Sequence, residues 1–170
     1  MLSSKMEKAI NEQINAEMYS GYLYLSMAAY FEGQNLSGFA NWMHIQFKEE
    51  WAHAMRFYNY VIERGGRINL GAIEKPKAEW KNVIEVMAET LDHEKHVTAL
   101  IHNLLTLAHE EKDYPSISML QWFVDEQVEE EASVTALLEK LKMIDGRGTG
   151  TLMLDKELAA RVFVDPNLPA

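Results

Sequence analysis

Four long stretches of this chain each carry an apolar stripe at alternating spacings of three and four, and a single glutamate interrupts each stripe near its midpoint. That spacing is the period of an α-helix with one face buried. The first stripe reads Ile10, Ile14, Glu17, Gly21, Tyr24, Ala28, Phe31, and the second Phe39, Met43, Phe47, Glu50, Ala54, Phe57, Val61. The third reads Ile84, Met87, Leu91, Glu94, Thr98, Ile101, Leu105, and the fourth Leu120, Phe123, Gln127, Glu130, Val134, Leu137, Leu141. Helices of about 28 residues, at about 1.5 Å per residue, run on the order of 40 Å. Packed side by side, they bring four carboxylates to one height in an apolar interior.

Glycine and proline mark the boundaries. The first segment runs from about Ser4 to Glu32 and stops at Gly33-Gln34-Asn35; the second opens after Ser37 and ends at Gly65-Gly66. A stretch from Arg67 to about Ala78, with Gly71 and Pro76, separates it from a third helix expected over Glu79 to Glu111. Asp113-Tyr114-Pro115 is a stop and restart, with proline in the first turn of a fourth helix ending near Met143. Asp145 to Gly150 reads as a flexible joint before a short fifth helix at about Leu152 to Val164. Short links imply two antiparallel hairpins, and the long stretch crosses the bundle between them. The expected fold is all-α: one domain, an up-down four-helix bundle over about residues 4–143 with a long crossover between helices two and three, and a short fifth C-terminal helix.

Composition removes several function classes. The chain has no cysteine, which excludes disulfides, zinc-thiolate sites and thiol catalysis. Its net charge of −10 argues against nucleic acid as a partner and suits cations instead. No stretch reads as a signal peptide or a membrane span, so no membrane partner is expected and the location read from the sequence is cytoplasmic.

The four midpoint carboxylates lack the usual helical partners. None of Glu17, Glu50, Glu94 or Glu130 has a Lys or Arg three or four residues away, whereas Glu85 has Lys81 and Glu139 has Lys142. Ionised and unpaired in an apolar interior, they would cost many kcal/mol. Two divalent cations would balance four carboxylates. Glu50-Trp51-Ala52-His53 adds an imidazole on the same helical face as a carboxylate, a spacing that lets both hold one metal ion. Oxygen donors with one imidazole and no thiolate suit iron or manganese. The competing reading is a polar core cluster satisfied by hydrogen bonds. His93-x-x-His96 also has metal-like spacing but flanks the core face, and the ten methionines read as core filling.

Larger motifs carry a family resemblance: Asn15-Ala16-Glu17, Tyr22-Leu23-Tyr24-Leu25-Ser26-Met27, Glu49-Glu50-x-x-His53-Ala54, Glu63-Arg64-Gly65-Gly66, His93-Glu94, and Gln121-Trp122-Phe123-x-x-Glu126-Gln127-x-Glu129-Glu130. On these the chain resembles the non-haem ferritins of the bacterial and archaeal iron-storage type over essentially its whole length. Symmetric di-iron bundles carry Glu-x-x-His on two helices; here Gln127-Val128-Glu129-Glu130 replaces the second. The resemblance implies a di-iron ferroxidase centre in which Glu17, Glu50 and His53 hold one iron and Glu50, Glu94 and Glu130 the other, with Gln127 a close polar neighbour. It implies a possible third iron site at Glu49, Glu126, Glu129 and Glu130, and electron donation from Tyr24 and Trp122. The expected partners are iron ions, O2 or H2O2, and further copies of the chain in a hollow 24-subunit shell with the fifth helix at the four-fold axes. Trp51 stands where haem-binding relatives have Met, so no haem is expected. Ile117 and Leu120 match the acidic three-fold channel positions of animal ferritins, so iron entry through each bundle is expected instead. A ferritin-like di-iron peroxidase or oxygenase is the alternative reading.

Overall fold

The computed structural model describes residues 2–165 and residue 167. Five helices follow in order: α1 Ser4–Gly33, α2 Ser37–Glu63, α3 Val83–Glu110, α4 Tyr114–Met143 and α5 Gly148–Leu158, with no strand among the described residues. The pairs α1–α2 and α3–α4 pack as antiparallel hairpins, α1 also meets α3, and α5 lies against α2. This is the expected bundle with its crossover, residues 64–82. Among the described residues, no helix is long and apolar enough to cross a membrane.

Side-chain caps place the helix starts. Ser3 accepts a hydrogen bond from the Met6 amide at the head of α1, and Asp113 accepts one from Ser116 at the head of α4. Helix α3 starts at Val83, four residues later than Glu79, because the cap is Asn82, whose side-chain Oδ1 accepts from the Glu85 amide at 2.9 Å. Before it, Trp80 is buried and donates to Glu89. Glu85 accepts from the Lys81 backbone amide rather than its ammonium, and its cation is Lys77. Helix α5 also differs from expectation, starting at Gly148 and ending at Leu158. Gly148 and Gly150, read as part of the joint, lie in its first turn: a Cβ on Gly150 would lie 3.0 Å from Ile144, so a side chain there would push Ile144 and the end of α4 aside.

The core has two apolar blocks. One gathers Tyr24, Met27, Phe31, Phe39, Met43, Met87 and Leu141; the other gathers Ile10, Ile14, Phe57, Ile101, Leu120 and Phe123. The segments between them hold the midpoint glutamates of all four helices. The α1 and α4 stripes are buried throughout, and on α2 only Phe47 is half-buried. On α3 the buried face is turned by about one residue: Val83, Thr90, Val97 and Leu104 are buried, and Ile84, Leu91, Thr98 and Leu105 are half-buried. Thr90 tolerates burial because its hydroxyl bonds the Val86 carbonyl. Leu120 is fully buried beside Phe123, so it cannot line a channel, and Ile117 is half-buried.

Helix α2 begins without a side-chain cap from its own neighbourhood. Asp155 of α5 supplies it: its Oδ1 accepts from the amides of Gly38 at 2.8 Å and Phe39 at 3.0 Å. A Cβ on Gly38 would fall 1.7 Å from the Asp155 carbonyl, so that contact requires glycine. Asp155→Ala is expected to cost about 1–2 kcal/mol, as loss of a helix cap does, seen as a melting temperature lower by roughly 2–8 °C at this chain length. An unchanged melt would show that the Asp155 cap adds nothing to the other contacts that hold α5 against α2.

Candidate metal centre

Helices deliver the site residues to the layer between the two apolar blocks. Glu17 comes from α1, Glu50 and His53 from α2, Glu94 from α3, and Gln127 and Glu130 from α4. None is more than 6% exposed, which separates them from an ordinary solvated charge cluster. Gly21 sets the approach of the first hairpin here: a Cβ on it would stand 3.3 Å from the Phe47 ring and 3.5 Å from the Glu50 Cβ. The three-residue step brings His53 Nδ1 to 3.8 Å from a Glu50 oxygen.

Some oxygens have protein donors and some do not. Gln13, one turn before Glu17, donates to it at 2.8 Å, and Gln46 donates to Glu130 at 2.8 Å. Tyr24 donates its hydroxyl to Glu94, and the Gln127 amide reaches both the Glu94 carboxylate and the Thr98 hydroxyl at 3.2 Å. Thr98 in turn donates to the half-buried Glu131. With both carboxyls ionised, Glu17 Oε2, Glu50 Oε2 and His53 Nε2 are buried with no hydrogen-bond partner; a proton on Glu50 is shared with Glu17. Unpaired polar atoms this deep are rare in a protein interior and mark a place built for something else.

Electrostatics lead to the same conclusion. Burial, then the charges of Glu94, Glu17 and Glu130, pushes the Glu50 carboxyl well above its usual range. Burial raises Glu17, takes Glu94 to about 7 against the pull of its Tyr24 and Gln127 hydrogen bonds, and with Glu94 takes Glu130 to about 8. Burial and then Arg56 depress His53 to about 4, so its imidazole is neutral and free to ligate. Four carboxylates that resist ionising together, beside a neutral imidazole, make a site whose charge balance suits cations.

Two triads are spaced to share a cation: Glu17, Glu50 and His53, and His53, Glu126 and Glu130, each with ligand atoms within 4.8 Å of one another. The first has the three residues that the family resemblance implies for one iron. Glu94, held by Tyr24 and Gln127, does not close to that spacing with Glu50 and Glu130. Of the third expected group, Glu126 joins the second triad, Glu129 is exposed, and both Glu49 oxygens are taken by Arg161. His93 bonds Ser20 and stands edge-on to Tyr24, away from any ligand triad. Trp122 lies 5.5 Å from the His53 ring, with the Arg56 guanidinium 3.9 Å above its own ring.

Sequence reasoning missed Gln13, Gln46 and Arg161. Gln13 lies four residues before Glu17, so helical spacing could have found it, whereas the partner of Gln46 is Glu130, 84 positions away. Arg161 lies 112 positions from Glu49 and left no local signal.

The family model described as Ferritin, a ferritin-like domain, matches residues 7–144. Among curated relatives, the bacterial non-heme ferritin of Staphylococcus epidermidis is 42% identical over 164 residues, covering 96% of this chain and 98% of that protein. The bacterial non-heme ferritin of Staphylococcus aureus is 37% identical over 163 residues, covering 96% and 98%. Among solved structures, an engineered closed form of the Archaeoglobus fulgidus ferritin superposes with a TM-score of 0.95 at 49% identity, covering 96% of this chain and all of that one. The open pore ferritin of the same archaeon gives 0.93 at 49% identity, covering 95% and 98%. With its motifs, bundle and buried carboxylates in agreement, the chain belongs to the ferritin family, among the non-haem ferritins whose shared activity is ferroxidase-linked iron storage.

Proposed function

We propose that this protein oxidises Fe(II) at the mid-bundle carboxylate site and deposits the ferric product as a hydrated oxide within a hollow shell of 24 copies of the chain. The observation that carries this reading is the set of three buried, unpartnered ligand atoms on Glu17, Glu50 and His53. Iron is the substrate. One Fe(II) takes Glu17, Glu50 and His53; a second takes Glu50, Glu130 and Glu94, which turns from Tyr24 to reach it.

The protein contributes charge and position. Four carboxylates stabilise Fe(III) over Fe(II), so oxidation is favoured where the ions sit. Two Fe(II) give up one electron each, which reduces O2 to the peroxide level or H2O2 to water. Tyr24, hydrogen-bonded to Glu94, and Trp122, against the His53 ring, each give one electron, which together take the peroxide level on to water, and later Fe(II) restores both residues. Gln127 holds Glu94 in register without adding a charge. Glu126, next to His53 and half-buried, and the exposed Glu129 one helical step on, provide an acidic way out toward the surface. With Leu120 buried in the core and Ile117 apolar and half-buried, neither position offers a carboxylate to a channel, and iron entry through the bundle is the route of this reading.

Fe(II) added in air to the metal-free protein tests the reading. Fast, saturable oxidation at about two iron per chain is expected, with a soluble mineral in a particle of about 24 subunits on size exclusion. A monomer or dimer that oxidises iron without storing it would favour the peroxidase or oxygenase reading. Slow, unsaturable oxidation would end both.

A further inference from the structure

The carboxylates of this site fall into two kinds. Glu17 and Glu50 each leave an oxygen with no hydrogen-bond partner, and the His53 imidazole leaves a nitrogen. Glu49, the neighbour of Glu50, is the opposite: Arg161 Nη2 donates to its two oxygens at 2.8 and 3.1 Å. The same guanidinium donates through Nη1 to the Gln46 carbonyl at 2.5 Å, and the Gln46 amide donates to Glu130 at 2.8 Å. A positive group from the segment after α5 therefore pairs with one candidate ligand and reaches a second through a single side chain.

The arrangement is anchored rather than incidental. The Arg161 and Leu158 carbonyls both accept from the Asn41 side chain at 3.1 Å, the guanidinium lies over the Trp42 ring at 5.0 Å, and Asp155 fastens α5 to the head of α2. The pair is mostly shielded, with the Arg161 and Glu49 side chains 27% and 17% exposed. Glu126 and Glu130 belong to the second cation-sized triad, and Gln46 links Arg161 to Glu130, so this edge of the acidic cluster is where a third cation would be drawn in. A planar guanidinium bound to both oxygens of a carboxylate supplies that positive charge by itself.

Resting on the proposed ferroxidase reading, we infer that Arg161 is a built-in counter-ion that occupies the third cation position and limits each chain to two tightly held iron ions. Glu49 is a positioning residue that ties the C-terminal segment to the centre. It becomes a metal ligand only when Arg161 is withdrawn.

Anaerobic calorimetric titration of the metal-free assembly with Fe(II) tests this as a count of ions per chain. The native protein is expected to saturate at about two tight ions, and Arg161→Lys to keep that number. Arg161→Gln is expected to gain a third tight ion, and adding Glu49→Gln to remove it. Glu49→Gln alone is expected to leave the count unchanged, which gives a test even where the Arg161→Gln protein does not assemble. The inference is overturned if the native protein binds three ions and Glu49→Gln reduces them to two, or if Arg161→Gln still binds two. A native protein that binds no Fe(II) tightly would end the ferroxidase reading, a result distinct from either of these.

Discussion

Replacing Glu50 by Leu is expected to slow Fe(II) oxidation by at least about a hundredfold while making the metal-free protein more stable. Substitutions outside the immediate ligands of a metal commonly cost about 10–100-fold, and Glu50 is proposed to touch both ions, so its loss should exceed that range. The stability gain has a separate cause. Glu50 is 2% exposed, has an oxygen without a partner, and faces the charges of Glu94, Glu17 and Glu130. An apolar side chain of similar volume relieves both burial and repulsion, worth about 1–4 kcal/mol where buried ionic groups have been replaced. Ferric absorbance after mixing with air-saturated Fe(II), and thermal unfolding of metal-free protein at about pH 8, read the two effects. Near-native oxidation would remove Glu50 from the ligand set. A lower melting temperature would mean that the carboxylate holds the bundle together.

The second large effect is a pH slope that metal abolishes. Glu94 and Glu130 have folded-state pKa values of about 7 and about 8, against 4.5 for the free side chain. The folded chain therefore binds more protons than the unfolded one between these values, and stability falls as pH rises through that window. The histidines act in the opposite sense at lower pH. His53 and His93 are depressed from 6.5 to about 4, so folding loses stability as pH falls below 6.5. The carboxylates are therefore read cleanly between about pH 6.5 and 8, where denaturant unfolding of the metal-free protein should show a loss on the order of 1–3 kcal/mol. Zn(II), which does not change redox state, should flatten the slope and release protons on binding, measurable in a pH-stat. Stability that rises across that interval without metal would show the carboxylates to be ionised and compensated from within the protein.

Most of the bundle is legible in the amino-acid sequence because two periodicities coincide, that of the apolar stripes and that of the glutamates interrupting them. The α1 and α4 stripes match the buried faces, since strongly apolar residues at helical spacing leave one face to bury. On α3 the stripe points about a residue away from the true core face: Leu91 and Leu105 look like better core residues than Thr90, yet Thr90 is buried because its hydroxyl is satisfied within its own helix. Helix α5 starts earlier than its sequence suggests because glycine has two uses, turning a chain and allowing close approach, and Gly150 serves the second. At the site, an absence is informative: glutamates without cationic neighbours along their helices have to be answered by something else. Arg161 escapes notice because its partner is 112 positions away, and no local pattern encodes a contact made by folding the chain end back on α2.

The cap on α2 has a consequence for the order in which the molecule can be built. Gly38 and Phe39 take their acceptor from Asp155, a residue synthesised 117 and 116 positions later. As chains are made from the N-terminus at about 5–20 residues per second, the α1–α2 hairpin leaves the ribosome with the head of α2 uncapped. That corner stays uncapped until α5 has emerged. Arg161, which follows α5, reaches Glu49 later still. Translation itself thus sets a sequence of events: hairpin first, bundle next, and the polar clasp between the C-terminal segment and the carboxylate layer last.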